Sequence, residues 1–254
     1  MRLVILGCGT STGVPLIGCR CNVCTSTDAR NRRTRSSALI EAGGGHILID
    51  TATDLRQQAL ANGIERIDAV LYTHHHADHI HGIDDLRSFN MVQQGREIAC
   101  YGNAATVERI RATFNYIFRE DVNDGWKPNL TTTVVDGPFE LFGERVIPVP
   151  LRHGAMSIYG WRVGDMAYLT DCSAIPLESM ALLKGLEVLI VGALRDRPHP
   201  THFTIQQAVE AAATIAPKRT ILTHMGHNVD YVKDSAALPL GVELAYDGMV
   251  VEVI

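Results

Sequence analysis

The sequence predicts an α/β protein: an αββα sandwich in which two mixed β-sheets pack face to face and helices cover their outer faces. Three observations support this class. Apolar runs of strand length recur in both halves of the chain, and helical patterns separate several of them. No linker rich in Pro, Ser or Gly divides the 254 residues. We therefore expect a single domain that spans residues 1–254.

The first half of the chain begins with strands. Each strand is an apolar run that ends near a Gly or Asn, and the helix repeats its apolar residues at helical spacing. The predicted strands are RLVIL (2–6), SALIEA (37–42), HILID (46–50) and DAVLYT (68–73), and the predicted helix is DLRQQALANG (54–63).

The second half continues the alternation of strands and helices. The predicted strands are EIACYG (97–102), TTTVV (131–135), FELFGERVIPVPL (139–151), IYGWRV (158–163), MAYLTD (166–171), LEVLIVGAL (186–194), RTILTH (219–224) and MVVEVI (249–254). The predicted helices are AATVERIRATFNYIF (104–118) and TIQQAVEAAATIA (204–216). Strand-rich halves with interspersed helices suit two sheets packed face to face with helices on their outer faces.

Composition narrows the classes of function. The formal net charge of −5 argues against a surface built to hold nucleic acid, so small-molecule substrates are favoured. No apolar run reaches the length of about 18 residues needed to span a membrane, and we expect a cytoplasmic protein with no membrane partner. Three of the six cysteines lie in residues 19–24, which suits a metal better than a disulfide framework. Cys8, Cys100 and Cys172 lie in apolar surroundings typical of buried thiols.

The segment YTHHHADHIHG (72–82) holds five of the eleven histidines. It directly follows the strand DAVLYT, and residues at i and i+2 of an extended segment point the same way, so His74 and His76 can reach one ion. Asp78 and His79 follow at a turn into a helix and can reach a second ion. The alternative is an exposed, pH-sensitive histidine run, but the interruption by Ala-Asp after an apolar strand favours a metal site.

The segment THHHADH resembles the H-x-H-x-D-H signature of the metallo-β-lactamase fold hydrolases. The resemblance covers nearly the whole chain and implies further ligands at strand ends: His153, Asp171 and His224. It implies that one divalent ion is held by His74, His76 and His153, the other by Asp78, His79 and His224, with Asp171 bridging them. Zinc, manganese, nickel or iron would suit these ligands. Taken alone, His153 could be a loop residue and Asp171 a helix cap.

Cys19, Cys21 and Cys24 could occupy three corners of a tetrahedral zinc site, or they could share a reduced surface loop by chance. The loop is similar to that of the PhnP-like phosphodiesterases. In that subfamily a histidine three positions after the last active-site histidine completes a structural zinc, which implies His227 as the fourth ligand. The segments LGCGTSTGVP and AYDGM agree with the same subfamily.

The resemblance implies a phosphodiesterase in which two metal ions generate a hydroxide that attacks a small cyclic or nucleotide-like phosphodiester. It assigns catalytic roles to Asp78 and to His202, the latter as the general acid for the leaving oxygen. His202 lies in RPHPTHFT beside His199, and it could instead cap the following helix or lie exposed. The resemblance also allows a homodimer.

Other functions remain open from the sequence. A tRNA 3′-processing endonuclease would share the fold, but no long insertion serves as an arm for tRNA. A thioester or lactone hydrolase would leave His202 without a role, and a metal-storing protein would not need a separate acid. The ligand set disfavours β-lactam hydrolysis. Arg30, Arg32, Arg33 and Arg35 form either a solvated basic face or a phosphate-recognition patch.

Overall fold

The computed structural model of the protein describes residues 1–119 and 127–253. Within these ranges the strands are β1 (Arg2–Gly7), β2 (Ser37–Ala42), β3 (Gly45–Ile49), β4 (Ala69–Leu71), β5 (Ile98–Gly102), β6 (Leu130–Val134), β7 (Phe139–Leu141), β8 (Glu144–His153), β9 (Met156–Val163), β10 (Met166–Leu169), β11 (Val188–Gly192), β12 (Arg219–Thr223), β13 (Val242–Leu244) and β14 (Met249–Glu252). They form two seven-stranded sheets, in the orders β14-β1-β2-β3-β4-β5-β6 and β13-β12-β11-β10-β9-β8-β7.

Both sheets are mixed, as predicted. In the first, β14, β1, β2 and β3 pair antiparallel and β3 to β6 pair parallel. In the second, β7 to β10 pair antiparallel and β10 to β13 pair parallel. Parallel strands share the direction of their carboxyl ends, so residues that follow β4, β10 and β12 can meet at one edge of the sandwich.

Strand β1 shows why both faces of the first sheet are buried. Leu3 and Ile5 belong to the large core cluster that also contains Trp161 and Leu189 of the second sheet. Val4 and Leu6, which point to the opposite face, lie in a separate cluster on the outer side of the sheet. Because side chains alternate across a strand, an apolar run such as RLVIL requires cover on both sides.

The helices supply the outer layers, with three short 3₁₀ turns at Ala29–Asn31, Ile83–Asp85 and Ala181–Leu183. The α-helices are α1 (Leu55–Asn62), α2 (Ala77–Ile80), α3 (Leu86–Val92), α4 (Ala104–Thr113), α5 (Asn115–Phe118), α6 (Leu177–Met180), α7 (Ile205–Ile215) and α8 (Tyr231–Ser235). Residues of α1 and α3 pack in the outer cluster of the first sheet, and α7 packs against β11 and β12. The predicted αββα sandwich is confirmed.

Two predicted elements are wrong in detail. The run 139–151 is a hairpin of β7 and β8 and not one strand, because Phe142 and Gly143 adopt φ values of 53° and 80° and form a two-residue turn. The predicted helix 104–118 is interrupted at Phe114, whose φ and ψ of −112° and 42° separate α4 from α5. Residue 254 of the last predicted strand lies outside the described residues. Of the helices that are described, none combines the length and apolarity that a bilayer crossing requires.

Candidate metal centre

Three histidines meet beyond the carboxyl ends of β4 and β8. His74 and His76 follow β4, and His153 is the last residue of β8. The ring centroids of His74 and His76 lie 4.6 Å apart, and that of His153 lies 5.4 Å and 5.0 Å from them. One ligand atom from each, together with one from Asp171, all fall within 4.8 Å of one another. This group could hold one metal ion.

A second group lies directly beside the first. Asp78 and His79 occupy the short helix α2, and His224 follows β12. His224 Nε2 is 3.0 Å and His79 Nε2 is 3.5 Å from Asp171 Oδ1, while His79 Nε2 is 3.2 Å from Asp78 Oδ2. These four residues also offer ligand atoms within 4.8 Å of one another, so Asp171 is common to both groups. The structure brings together all seven residues singled out in the sequence, in the expected grouping.

Within the described part of the chain, several buried ring nitrogens in the two groups have no hydrogen-bond partner, which bears on whether metal ions fit the groups. His79 Nε2 and both ring nitrogens of His224 are buried without a hydrogen-bond partner among the described residues. The close approach of His224 Nε2 to Asp171 is not aligned as a hydrogen bond. An unpaired buried polar atom is unfavourable, and imidazole with carboxylate is a donor set that zinc, manganese, iron and nickel accept. The residues therefore fit two divalent ions.

The backbone around this centre adopts uncommon conformations. Asp50, Asp171 and His224 have φ values of 58°, 53° and 57°, in the left-handed region that non-glycine residues seldom occupy. They follow β3, β10 and β12, the strands whose carboxyl ends converge here. Such conformations persist only where the surrounding structure imposes them, and they concentrate at functional sites.

Charges in the centre are strongly coupled. Burial alone would lower the pKa of His79, but the carboxylates of Asp171, Asp78 and Asp50 outweigh it and raise that pKa well above its usual value. Burial would likewise raise the pKa of Asp171, but His224 and His79 hold it well below its usual range. The pKa values of Asp78 and Asp171 are both lowered, so these two carboxylates are ionised and their negative charge attracts cations.

Asp50 is a member of this centre that the sequence interpretation missed. Its carboxylate is buried and accepts hydrogen bonds from the Thr73 backbone N–H and hydroxyl, both at 2.8 Å. His79 Nδ1 lies 2.7 Å from Asp50 Oδ2 and donates to it, which leaves Nε2 free to bind a metal. The available signal was an aspartate at the end of the strand HILID, aligned with the ends of the other ligand-bearing strands.

His202 lies against both groups. Its ring centroid is 4.8 Å from that of His153 and 4.9 Å from that of His224, and its side chain is 14% exposed. Burial lowers its pKa to about 3, although Asp171 acts in the opposite direction, so the free site holds a neutral imidazole. His199 lies three residues earlier in the same loop, and its ring centroid is 5.0 Å from that of His202.

The structure excludes two simpler roles that the sequence left open. The side chain of Thr204, and not that of His202, caps α7, with Gln207 completing a capping box. Pro176 occupies the N-cap of α6, so Asp171 does not cap that helix. His202 and Asp171 therefore have no helix-capping duty that would explain their positions.

A third group combines Cys19, Cys21, Cys24 and His227, whose ligand atoms all lie within 4.8 Å of one another. His227 Nδ1 lies 3.4 Å from Cys19 Sγ and 3.5 Å from Cys21 Sγ. The backbone N–H of Cys24 and the ring of His227 lower the pKa of Cys21 to about 6, whereas burial raises that of Cys24 to about 11. Three thiols and one imidazole fit a closed tetrahedral zinc site. The other thiols, Cys8, Cys100 and Cys172, are buried, as expected.

The chain is similar in sequence and fold to several known proteins. The sequence model of the beta-lactamase superfamily domain matches residues 46–225. A crystal structure of a diphosphatase from the PhnP family is 43% identical, with a TM-score of 0.92 over 100% of this chain and 98% of that chain.

Two curated relatives are also similar. Coenzyme PQQ synthesis protein B of Methylorubrum extorquens is 38% identical over 226 residues, 75% of this chain and 72% of that protein. The octanoyltransferase of Porphyromonas gingivalis is 41% identical over 254 residues, which are 98% of this chain and 51% of that protein. The chain thus spans about half the length of this last relative.

Proposed function

The chain belongs to the beta-lactamase superfamily, and we propose that it hydrolyses small phosphodiesters with two divalent metal ions. The observation that carries the proposal is the pair of His/Asp groups that share Asp171, with His202 in contact with both. The metallo-β-lactamase fold and the similar diphosphatase support hydrolysis as the class of reaction. The phosphodiester bond and the use of two ions belong to our proposal.

One ion would be held by His74, His76 and His153, and the other would be held by Asp78, His79 and His224. Asp171 would be a ligand of both ions. Two such ions, when bound, supply Lewis acidity, which activates water near neutral pH and neutralises charge on phosphoryl oxygens. The carboxylate of Asp78 is more exposed than that of Asp171, 11% against 3%. We assign to Asp78 a hydrogen bond to the attacking water in addition to its role as a ligand.

His202 donates the proton to the leaving oxygen. Its neutral state in the free site follows from burial, and the negative charge of a phosphodiester placed beside it raises its pKa and favours the protonated form. The ring contacts His153 and His224, one from each metal group, so it lies beside the position that a substrate on the metal ions would take. A side chain fixed beside both groups suits general acid catalysis.

Cys19, Cys21, Cys24 and His227 would hold a structural zinc ion, because four protein ligands leave no open position for substrate. His227 lies three residues after His224, so this ion would tie the N-terminal loop to the segment that carries an active-site ligand. Zinc binding would then contribute to the free energy of folding and to the position of His224.

Small cyclic or nucleotide-like diesters are the proposed substrates. The net charge of −5 makes a tRNA 3′-processing endonuclease the weaker alternative. A second candidate is hydrolysis of a thioester or lactone. One observation favours it: an octanoyltransferase, about half of which this chain covers, is 41% identical to it. The octanoyltransferase activity is that of a longer protein, of which this chain covers 51%.

The test compares manganese-loaded protein on bis(p-nitrophenyl) phosphate, p-nitrophenyl phosphate and an acyl thioester in parallel. We expect turnover of the diester, with little turnover of the monoester or thioester. Thioester turnover with an inert diester would replace the proposed function by its second candidate. If the fully metallated protein hydrolyses none of the three compounds, a metal-storing protein would be favoured.

A further inference from the structure

A line of hydrogen bonds joins the candidate metal ligand His153 to His199, a residue to which the proposed mechanism assigns no role. His153 Nδ1 lies 2.8 Å from the carbonyl oxygen of Thr201. A carbonyl only accepts, so His153 Nδ1 carries the ring proton and Nε2 keeps its lone pair for a metal ion. Thr201 is therefore the outer partner of His153, in the way that Asp50 is the outer partner of His79.

Thr201 is held in turn by His199. The backbone N–H and the hydroxyl of Thr201 lie 3.4 Å and 3.1 Å from His199 Nδ1. A backbone N–H only donates, so His199 Nδ1 is the unprotonated nitrogen of its ring and accepts from the hydroxyl as well. The side chain of His199 thus fixes both the N–H and the hydroxyl of the residue whose carbonyl orients His153.

Thr201 also packs closely beside His153. The residue after His153 is Gly154, which has a φ of 59°, and a β-carbon there would lie 2.9 Å from the methyl carbon Cγ2 of Thr201. Glycine leaves the space that the Thr201 methyl group fills. The position of Thr201 is therefore determined from two sides, by Gly154 and by His199.

The backbone around His199 is restricted by its neighbours. Pro198 and Pro200 flank it, and both prolines are exposed. A proline fixes its own φ and limits the residue before it to extended conformations. Ordering this segment costs less conformational entropy than ordering an exposed loop without prolines, so a small number of hydrogen bonds to Thr201 can hold it.

The same segment carries the proposed general acid. The ring centroid of His202 lies 5.0 Å from that of His199 and 4.8 Å from that of His153. His202 directly follows Thr201 in the chain, so a displacement of Thr201 would move the His202 ring as well. One residue thus stands behind both a metal ligand and the proton donor.

We propose that His199 is a positioning residue: by accepting from Thr201, it holds the Thr201 carbonyl on His153 and keeps His202 beside the metal groups. The part that concerns His202 rests on the proposed function. The part that concerns His153 requires only that the site binds metal ions. The two parts are tested separately, by turnover and by metal affinity.

The experiment compares four variants of the full chain. His199→Ala removes the acceptor, whereas His199→Asn keeps one, because asparagine Oδ1 is bonded to Cγ as histidine Nδ1 is. Thr201→Val removes the hydroxyl and keeps the backbone N–H and carbonyl. His46→Ala is the matched control, because His46 is a half-buried histidine near the amino end of β3, away from the carboxyl strand ends where the metal centre lies.

Zinc affinity is measured by competition with a chelator, and exchange of the His153 Nδ1 proton by NMR of the zinc-loaded chain with isotopically labelled histidine. His199→Ala should weaken one of the two His/Asp-site ions by about tenfold, the lower end of the range for an outer partner. His199→Asn and His46→Ala should stay within about threefold of the wild type, with Thr201→Val between His199→Ala and the wild type. The His153 proton should exchange at least about tenfold faster in His199→Ala.

Turnover of bis(p-nitrophenyl) phosphate at saturating manganese tests the part that concerns His202. In His199→Ala we expect kcat to fall about tenfold, with KM within about threefold of the wild type. A raised KM with unchanged zinc affinity would make His199 a substrate contact and would overturn the proposal. Absence of diester turnover together with the expected zinc affinities would remove the proposed function and leave the effect of His199 on His153 intact.

The role on His153 has its own refuting results. Zinc affinity in His199→Ala within about threefold of the wild type would overturn it, and so would rapid exchange of the His153 proton in the wild type. Equal losses of affinity in His199→Ala and His199→Asn would also overturn it, because the accepting atom would then not be the cause.

Discussion

Replacement of Asp50 by Asn tests how the metal centre is organised. In the structure Asp50 Oδ1 accepts from the Thr73 backbone N–H, and Oδ2 accepts from His79 Nδ1. An asparagine must keep its oxygen toward the Thr73 N–H, so its NH₂ group faces the His79 ring. Because two donors cannot share that contact, the His79 proton is driven from Nδ1 to Nε2, the nitrogen that faces Asp78 and Asp171.

The expected magnitude follows from the lost interaction. A hydrogen bond to a charged group contributes about 1.5–3 kcal/mol, and each 1.4 kcal/mol changes an affinity about tenfold. Loss of an outer partner of a metal-binding histidine usually weakens metal affinity by about 10–100-fold. We therefore expect Asp50→Asn to weaken binding of the ion held by His79 by about 10–100-fold, measured by competition with a chelator of known affinity.

Asp68→Asn is the matched control. Asp68 is a second buried aspartate of the same sheet, and it pairs with Arg66 and Arg96 away from the metal centre. This variant should change stability without changing metal affinity. Metal affinity in Asp50→Asn within about threefold of the wild type, in a folded protein, would refute the role given to Asp50.

Three further predictions follow from the same geometry. His202→Ala should lower diester turnover by about 10²–10⁴-fold with unchanged metal content, whereas equal loss of both would contradict a general acid. Cys21→Ser should remove one zinc ion per chain and lower the midpoint of thermal unfolding, and Cys100→Ser should retain the zinc; unchanged zinc in Cys21→Ser would exclude the site. The thiol of Cys24, with its pKa raised to about 11, must lose a proton to bind zinc. Each protonated thiol that binds zinc releases a proton, so the apparent zinc affinity should rise at least about tenfold per pH unit between about pH 6 and 8, and a flat profile would contradict Cys24 as a ligand.

The strands and the centre could be predicted because local sequence carries both. Apolar runs such as RLVIL are buried on both faces, and the runs that form β4, β8, β10 and β12 end at or shortly before a candidate metal ligand. The spacing within one short segment was enough to predict His74, His76 and Asp78 as ligands. A family resemblance was needed to predict His153, Asp171 and His224.

The rest depends on contacts distant in sequence. Asp50 is one aspartate at one strand end, and only the sheet brings it to His79, 29 residues away. Phe142 was read as strand because its side chain is apolar, but the turn at 142–143 depends on its backbone and on the following glycine. The four neighbouring arginines look alike in sequence and differ only in the partners that folding gives them.

Two adjacent ions at the His/Asp groups are proposed to support phosphodiester hydrolysis. The most direct measurement titrates metal-free protein with zinc and then manganese, counting ions per chain while following hydrolysis of bis(p-nitrophenyl) phosphate. We expect no activity when only the cysteine site is filled and full activity at about three ions per chain. Full diesterase activity at about one ion per chain, or inactive protein at about three ions per chain, would contradict hydrolysis by two adjacent ions.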